Sequence, residues 1–72
     1  MPKVKIIKEE FGCDAKLGDI CEVVPLIEYT EFHKRMTLRS KQCDIVIRIP
    51  NPTGHRSHEQ LINKENTRRV RA

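Results

Sequence analysis

Aromatic residues are almost missing from this chain. In 72 residues there is no Trp, one Tyr (Tyr29) and two Phe (Phe11, Phe32). That scarcity argues against recognition surfaces made of stacked rings, whether for single-stranded nucleic acid or for proline-rich helices. Long apolar runs are missing as well: Ile45-Val46-Ile47 is among the longest, whereas a membrane-spanning helix needs about 20 apolar residues. The opening MPKVKIIKEE holds no long apolar segment and no small-residue cleavage site, so no secretion signal is read. Cysteine is sparse and odd in number, with Cys13, Cys21 and Cys43 and no CxxC pair. A disulfide framework would use an even set, so a reducing, cytoplasmic setting is expected. Cys21 and Cys43 fall into strand-like alternation and read as small buried side chains. Cys13 lies in a loop and is expected to be the exposed thiol.

Catalytic constellations are lacking too. An enzyme needs a nucleophile beside an oriented base, or paired carboxylates. Glu9-Glu10 and Glu28/Glu31 are the only close acid pairs, and both read as solvated. A Cys13–His55 dyad has no support from spacing, and so short a chain offers little concavity. No catalytic residue and no cofactor is expected, and a metal-dependent or thiol enzyme is the least favoured class. His55 and His58, three apart in HRSH, are the weak metal candidates. No second closely spaced ligand pair accompanies them, with His33 and Cys43 lying elsewhere.

What the chain does have is charge, unevenly placed. Residues 1–31 carry four Lys/Arg against seven Asp/Glu, and residues 32–72 carry ten against three, within a total of +4. Such asymmetry points to an anionic partner. The length makes one domain, 1–72, with a small core.

Alternation at a period of two recurs along the chain. KVKIIK (3–8) reads as a strand with Val4 and Ile6 on one side and Lys3 and Lys5 on the other. A long loop follows, with Gly12, Asp14, Gly18 and Asp19 as turn chemistry and Phe11 as its expected anchor. ICEVVPLIEY (20–29) reads as a strand bent at Pro25. HKRMTLRS (33–40) reads as a strand with Met36 and Leu38 inward and Arg35, Thr37 and Arg39 outward. After the turn SKQ, CDIVIRIP (43–50) places Cys43, Ile45, Ile47 and Ile49 inside and Asp44, Val46 and Arg48 outside, completing a hairpin. NPTGHRSHEQ is a loop. Residues 57–66 admit a helix capped by Ser57, but their apolar stripe is poor. The favoured reading is a short strand at 60–62, a tight 3₁₀ turn at 64–66 and a closing strand at 67–71. In that strand Val70 and the stem of Arg68 face inward and Arg69 and Arg71 face water.

Two stretches resemble parts of the SH3-like small β-barrel. AKLGDICEVV (15–24) is similar to that family's glycine-aspartate turn and the strand after it, with Cys21 and Val23 as the inward pair. LINKENTRRV (61–70) is similar to its ending: a short apolar strand, a one-turn 3₁₀ helix and a closing strand that pairs with the first. The resemblance implies an all-β fold, a small barrel of five to six strands, with the 33–49 hairpin as an elaboration. It does not imply proline-helix recognition, for want of aromatics.

The expected function is that of a small basic binding module. The favoured partner is nucleic acid, held through backbone phosphates with weak base readout. The expected contacts are Lys34, Arg35, Arg39, Lys41, Arg48, Arg68, Arg69 and Arg71, whose guanidinium forks suit phosphate oxygens. The alternative is a protein-interaction or inhibitory accessory module of the phage or mobile-element type. It would dock on a host protein, with Glu9, Glu10, Asp14 and Asp19 opposing the basic half. Pairing of two chains through a strand edge is a further expectation.

Overall fold

The computed structural model describes residues 2–50 and 58–71. Five strands form one antiparallel sheet: β1 (Lys3–Ile6), β2 (Ile20–Val23), β3 (Asp44–Arg48), β4 (Glu59–Asn63) and β5 (Thr67–Val70). Their spatial order is β4-β3-β2-β1-β5. One helix, α1 (Glu31–Arg39), and two 3₁₀ turns, Leu26–Glu28 and Lys64–Asn66, complete the described chain. The sheet is open: β4 and β5 are its edges and are joined by the second 3₁₀ turn instead of a ladder of hydrogen bonds. Of the expected all-β barrel, a mostly-β, five-stranded antiparallel architecture is observed; a helix is present as well, and the sheet does not close into a barrel.

The β1 strand is central to the pairing at one end. Val4 lies opposite Cys21 in β2 and opposite Arg69 in β5. Facing residues share a side of the sheet. One side therefore carries Val4, Ile6, Cys21, Ile47 and Ile62, which cluster with Ala15 and Ile49 as the main core. Ala15 comes from the loop 7–19, which folds over that side.

Side chains hold this loop down. Asp14 N donates to Gln60 Oε1 at 2.8 Å, and Gln60 Nε2 donates to Asp14 Oδ2 at 3.0 Å. Glu10 Oε1 accepts from Asn63 N and from Asn66 Nδ2, both at 3.0 Å. Gly18, at φ +89°, completes the tight turn in which Lys16 N donates to Asp19 Oδ2. Phe11 does not anchor the loop, because its ring is fully exposed. The anchors are polar, which alternation of apolar residues cannot signal.

Residues 33–39 lie in α1, with Ser40 as its C-cap, so the hairpin expected over 33–49 is corrected to a helix followed by a strand. Thr30 caps α1: its Oγ1 accepts from His33 N at 3.1 Å, and His33 Nδ1 accepts from Thr30 N at 3.3 Å. This is a capping box with histidine in the place usually held by Glu or Gln. Glu31 in the first turn and Arg39 in the last suit the helix dipole. His33 and Thr37, one turn apart, are the buried residues, whereas Leu38 is exposed. The turn after α1 runs through Lys41 and Gln42 at φ 56° and 63°, a left-handed pair that redirects the chain into β3.

Because α1 packs on β3, β3 is covered on both sides. Val46, expected outside, is fully buried, and Val24 joins it. Cys43, expected inside, precedes β3 and is exposed, while Cys13 is half-buried. Cys21 is buried. Burial first, then Asp19 and Cys13, pushes its thiol up to about 11, away from thiolate chemistry. The strand expected over 20–29 ends at Val23, and Pro25 precedes the first 3₁₀ turn. The 59–70 segment follows the favoured reading, strand, 3₁₀ turn and strand.

Asp44 gives a test of the packing at the β3–β4 end. Burial, and secondarily the charge of Glu10, raise its carboxyl above the ordinary 3.8. The folded state then holds this proton more tightly than the unfolded chain. Its contribution therefore declines as pH rises from about 3.8 through the raised value, and is constant above it. Asp44→Asn is expected to give a small rise in Tm at pH 7 that vanishes below pH 3.8, measured by thermal melts across pH.

Candidate functional site

The expected contact residues separate into three groups. Lys34, Arg35 and Arg39 are exposed on α1, with Lys41 exposed in the turn beyond it. Arg68 and Arg69 are exposed on β5, and Arg71 follows it. Arg48 stands alone on β3. The expected shared outward face of Arg35, Arg39 and Arg48 does not exist, since the first two belong to a helix.

Arg48 is occupied. Its guanidinium meets Glu28 at 2.6 Å, Glu22 at 3.4 Å and Glu59 at 3.6 Å. Glu22, Arg48 and Glu59 lie in register across β2, β3 and β4, and Glu28 reaches in from the first 3₁₀ turn. Arg48 thus fastens that turn to the sheet, and three carboxylates already satisfy its fork.

The pairing of β1 with β5 builds a different basic surface. Lys5 lies directly opposite Arg68, and Lys3 opposite Val70, all on the side away from the main core. Lys3 and Lys5 are exposed residues, one either side of buried Val4. They stand about 6.8 Å apart along the strand. Among the described residues, Lys3, Lys5 and Arg68 make no ion pair. Lys3 also faces Glu22 in register, but that carboxylate is drawn to Arg48. Arg69, on the opposite side of the same edge strand, extends the positive charge around it. A depression of about 440 Å³ adjoins this surface, lined by Lys3, Ile20, Glu22 and Arg48.

The expectation that Val70 faces inward is one residue out of register. Thr67 and Arg69 fall on the side of Ile6 and Val4, while Arg68 and Val70 fall with Lys5 and Lys3. Lys3 and Lys5, absent from the expected contact set, are the members of this basic surface that the sequence does not single out. Their outward alternation was visible; their juxtaposition with Arg68 depends on the β1–β5 register.

The acidic loop is less available than its composition suggests. Glu10, Asp14 and Asp19 are half-buried and each accepts hydrogen bonds from within the chain, while Glu9 is exposed. Of the metal candidates, His58 is exposed, with its carbonyl accepting from Ile49 N, and His55 lies outside the described residues. No helix among the described residues is long and apolar enough to cross a membrane. Comparison with protein-family models, with curated proteins and with solved structures finds no match.

Proposed function

We propose that the protein is a small binding module that associates with nucleic acid through backbone phosphates, with Lys3, Lys5 and Arg68 as its principal contacts and Arg69 and Arg71 beside them. One observation carries the reading: Lys5 and Arg68 are cross-strand partners of like charge. Such a pair is destabilising on its own, and an anion shared between the two relieves it. The surface offers two β-strands as rigid supports and no aromatic ring. Exposed Phe11 and Phe32 belong to the loop and to α1, not to these two strands. Contacts to a duplex or structured backbone therefore fit better than stacking on a single strand.

The strand order, the long loop between β1 and β2, and the 3₁₀ turn between β4 and β5 support reading the fold as an SH3-like barrel left open at one seam. In this reading α1 is the elaboration between β2 and β3.

The test is a titration of a short mixed-sequence duplex at several salt concentrations. Three phosphate contacts predict a loss of about 40-fold in affinity between 50 and 200 mM salt, with little dependence on sequence. An affinity that does not change with salt would overturn the reading.

A further inference from the structure

Helix α1 is mounted with its polar residues inward. His33 and Thr37 are buried against the sheet, Thr37 Oγ1 donating to His33 O at 2.9 Å. Its apolar Leu38 is 74% exposed, and Leu26 in the preceding 3₁₀ turn is 73% exposed. A groove of about 270 Å³ lies between them, lined by Leu26, Lys34, Thr37, Leu38 and Gln42. Ile27 and Phe32 are exposed nearby in sequence.

The charge around this groove is one-sided. Residues 30–42 hold Lys34, Arg35, Arg39 and Lys41 against Glu31 alone. Lys34 and Arg35 are the helix neighbours of Leu38, at i−4 and i−3. Glu31 approaches Lys34 only loosely, at 3.7 Å between highly exposed side chains.

We propose that this groove receives an acidic segment of a partner protein, whose apolar side chain enters between Leu26 and Leu38 while its carboxylates meet Lys34, Arg35, Arg39 and Lys41. Charge complementarity selects this occupant over a second copy of the chain. Two copies meeting through this face would bring two positive surfaces together. A head-to-tail copy would offer its acidic loop, in which Glu10, Asp14 and Asp19 are already engaged. Lys3, Lys5 and Arg68 take no part, so the proposal stands apart from the nucleic-acid reading.

The experiment titrates the ¹⁵N-labelled full chain with two synthetic amphipathic peptides, free of nucleic acid. Both carry Leu at i, i+3, i+4 and i+7; one has Glu at the remaining positions and the other Lys. The acidic peptide is expected to shift the amides of Leu26, Thr37, Leu38 and Gln42, and the basic one to leave them unmoved. Leu38→Asp alters an exposed position in the last turn of α1, so it should lower Tm only modestly, and it should weaken the acidic peptide about ten-fold or more. The double change Lys5→Glu with Arg68→Glu should not weaken it. Equal binding of the two peptides would overturn the proposal, as would shifts confined to Lys3, Lys5 and Arg68. So would self-association in sedimentation velocity that Leu38→Asp abolishes, which would make a second copy the occupant.

Discussion

Lys5→Glu combined with Arg68→Glu is expected to lower duplex affinity roughly 100-fold at low salt and to flatten its salt dependence. Both side chains are exposed on the β1–β5 face, so the fold should survive. Two phosphate contacts are lost and two repulsive charges replace them. The single change Lys5→Glu separates binding from folding more sharply. A carboxylate at position 5 would face Arg68 across the strands and exchange a like-charge pair for an opposite one. Such exchanges are worth about 0.2–1 kcal/mol in stability. Binding should therefore weaken while Tm rises, a combination that general loss of structure cannot produce. Arg35→Ser with Arg39→Ser should leave duplex affinity nearly unchanged, because those residues lie on α1. If the helix pair weakened binding and the strand pair did not, the interface would belong to α1 and the proposed contacts would be wrong.

Strand β1 was legible because it has a dry side and a wet side. Lys3–Ile6 alternates exposed and buried without exception, and a period of two in sequence reports that directly. The Lys64–Asn66 turn was legible for a different reason: a polar triplet between two short strands leaves room for little else. Helix α1 was not legible. Its contact with the sheet runs through His33 and Thr37, at helical spacing but polar, so the apolar pattern is silent there. Met36 and Leu38, two residues apart, imitate a strand. Its cap uses Thr30 and His33, a pair that the usual Ser/Thr-x-x-Glu/Gln signature misses. The basic surface was half legible. Lys3 and Lys5 alternate outward, but β5 has a single apolar residue, Val70, and parity cannot be fixed from one point. Pairing with β1 decides it, and places Val70 beside Lys3. The ion pairing of Arg48 was not legible because its partners Glu22, Glu28 and Glu59 are distant in sequence.

Gln60→Leu is expected to destabilise the protein by about 2–4 kcal/mol, the sum of a neutral hydrogen bond and one to a charged group, both lost. The open seam between β4 and β5 explains why one amide matters so much. A closed barrel covers its interior with strands; here the loop 7–19 supplies the cover and polar clamps keep it in place. Gln60 is the buried clamp. It accepts from Asp14 N, donates to Asp14 Oδ2, and joins segments 46 residues apart. Leucine nearly preserves the volume and adds apolar surface, so a cavity cannot account for the loss. A domain of this size has a total stability of about 4–11 kcal/mol, so a large share of it rests on this contact. Urea denaturation gives the magnitude, and hydrogen exchange gives the location: amides of Cys13 to Asp19 should lose protection before those of β3. Glu10→Gln keeps an amide oxygen for Asn63 N and Asn66 Nδ2 and should cost less, which tests whether the clamps act through geometry more than charge. A Gln60→Leu protein as stable as the parent, with loop protection intact, would mean that Ala15 and the apolar core hold the loop without help.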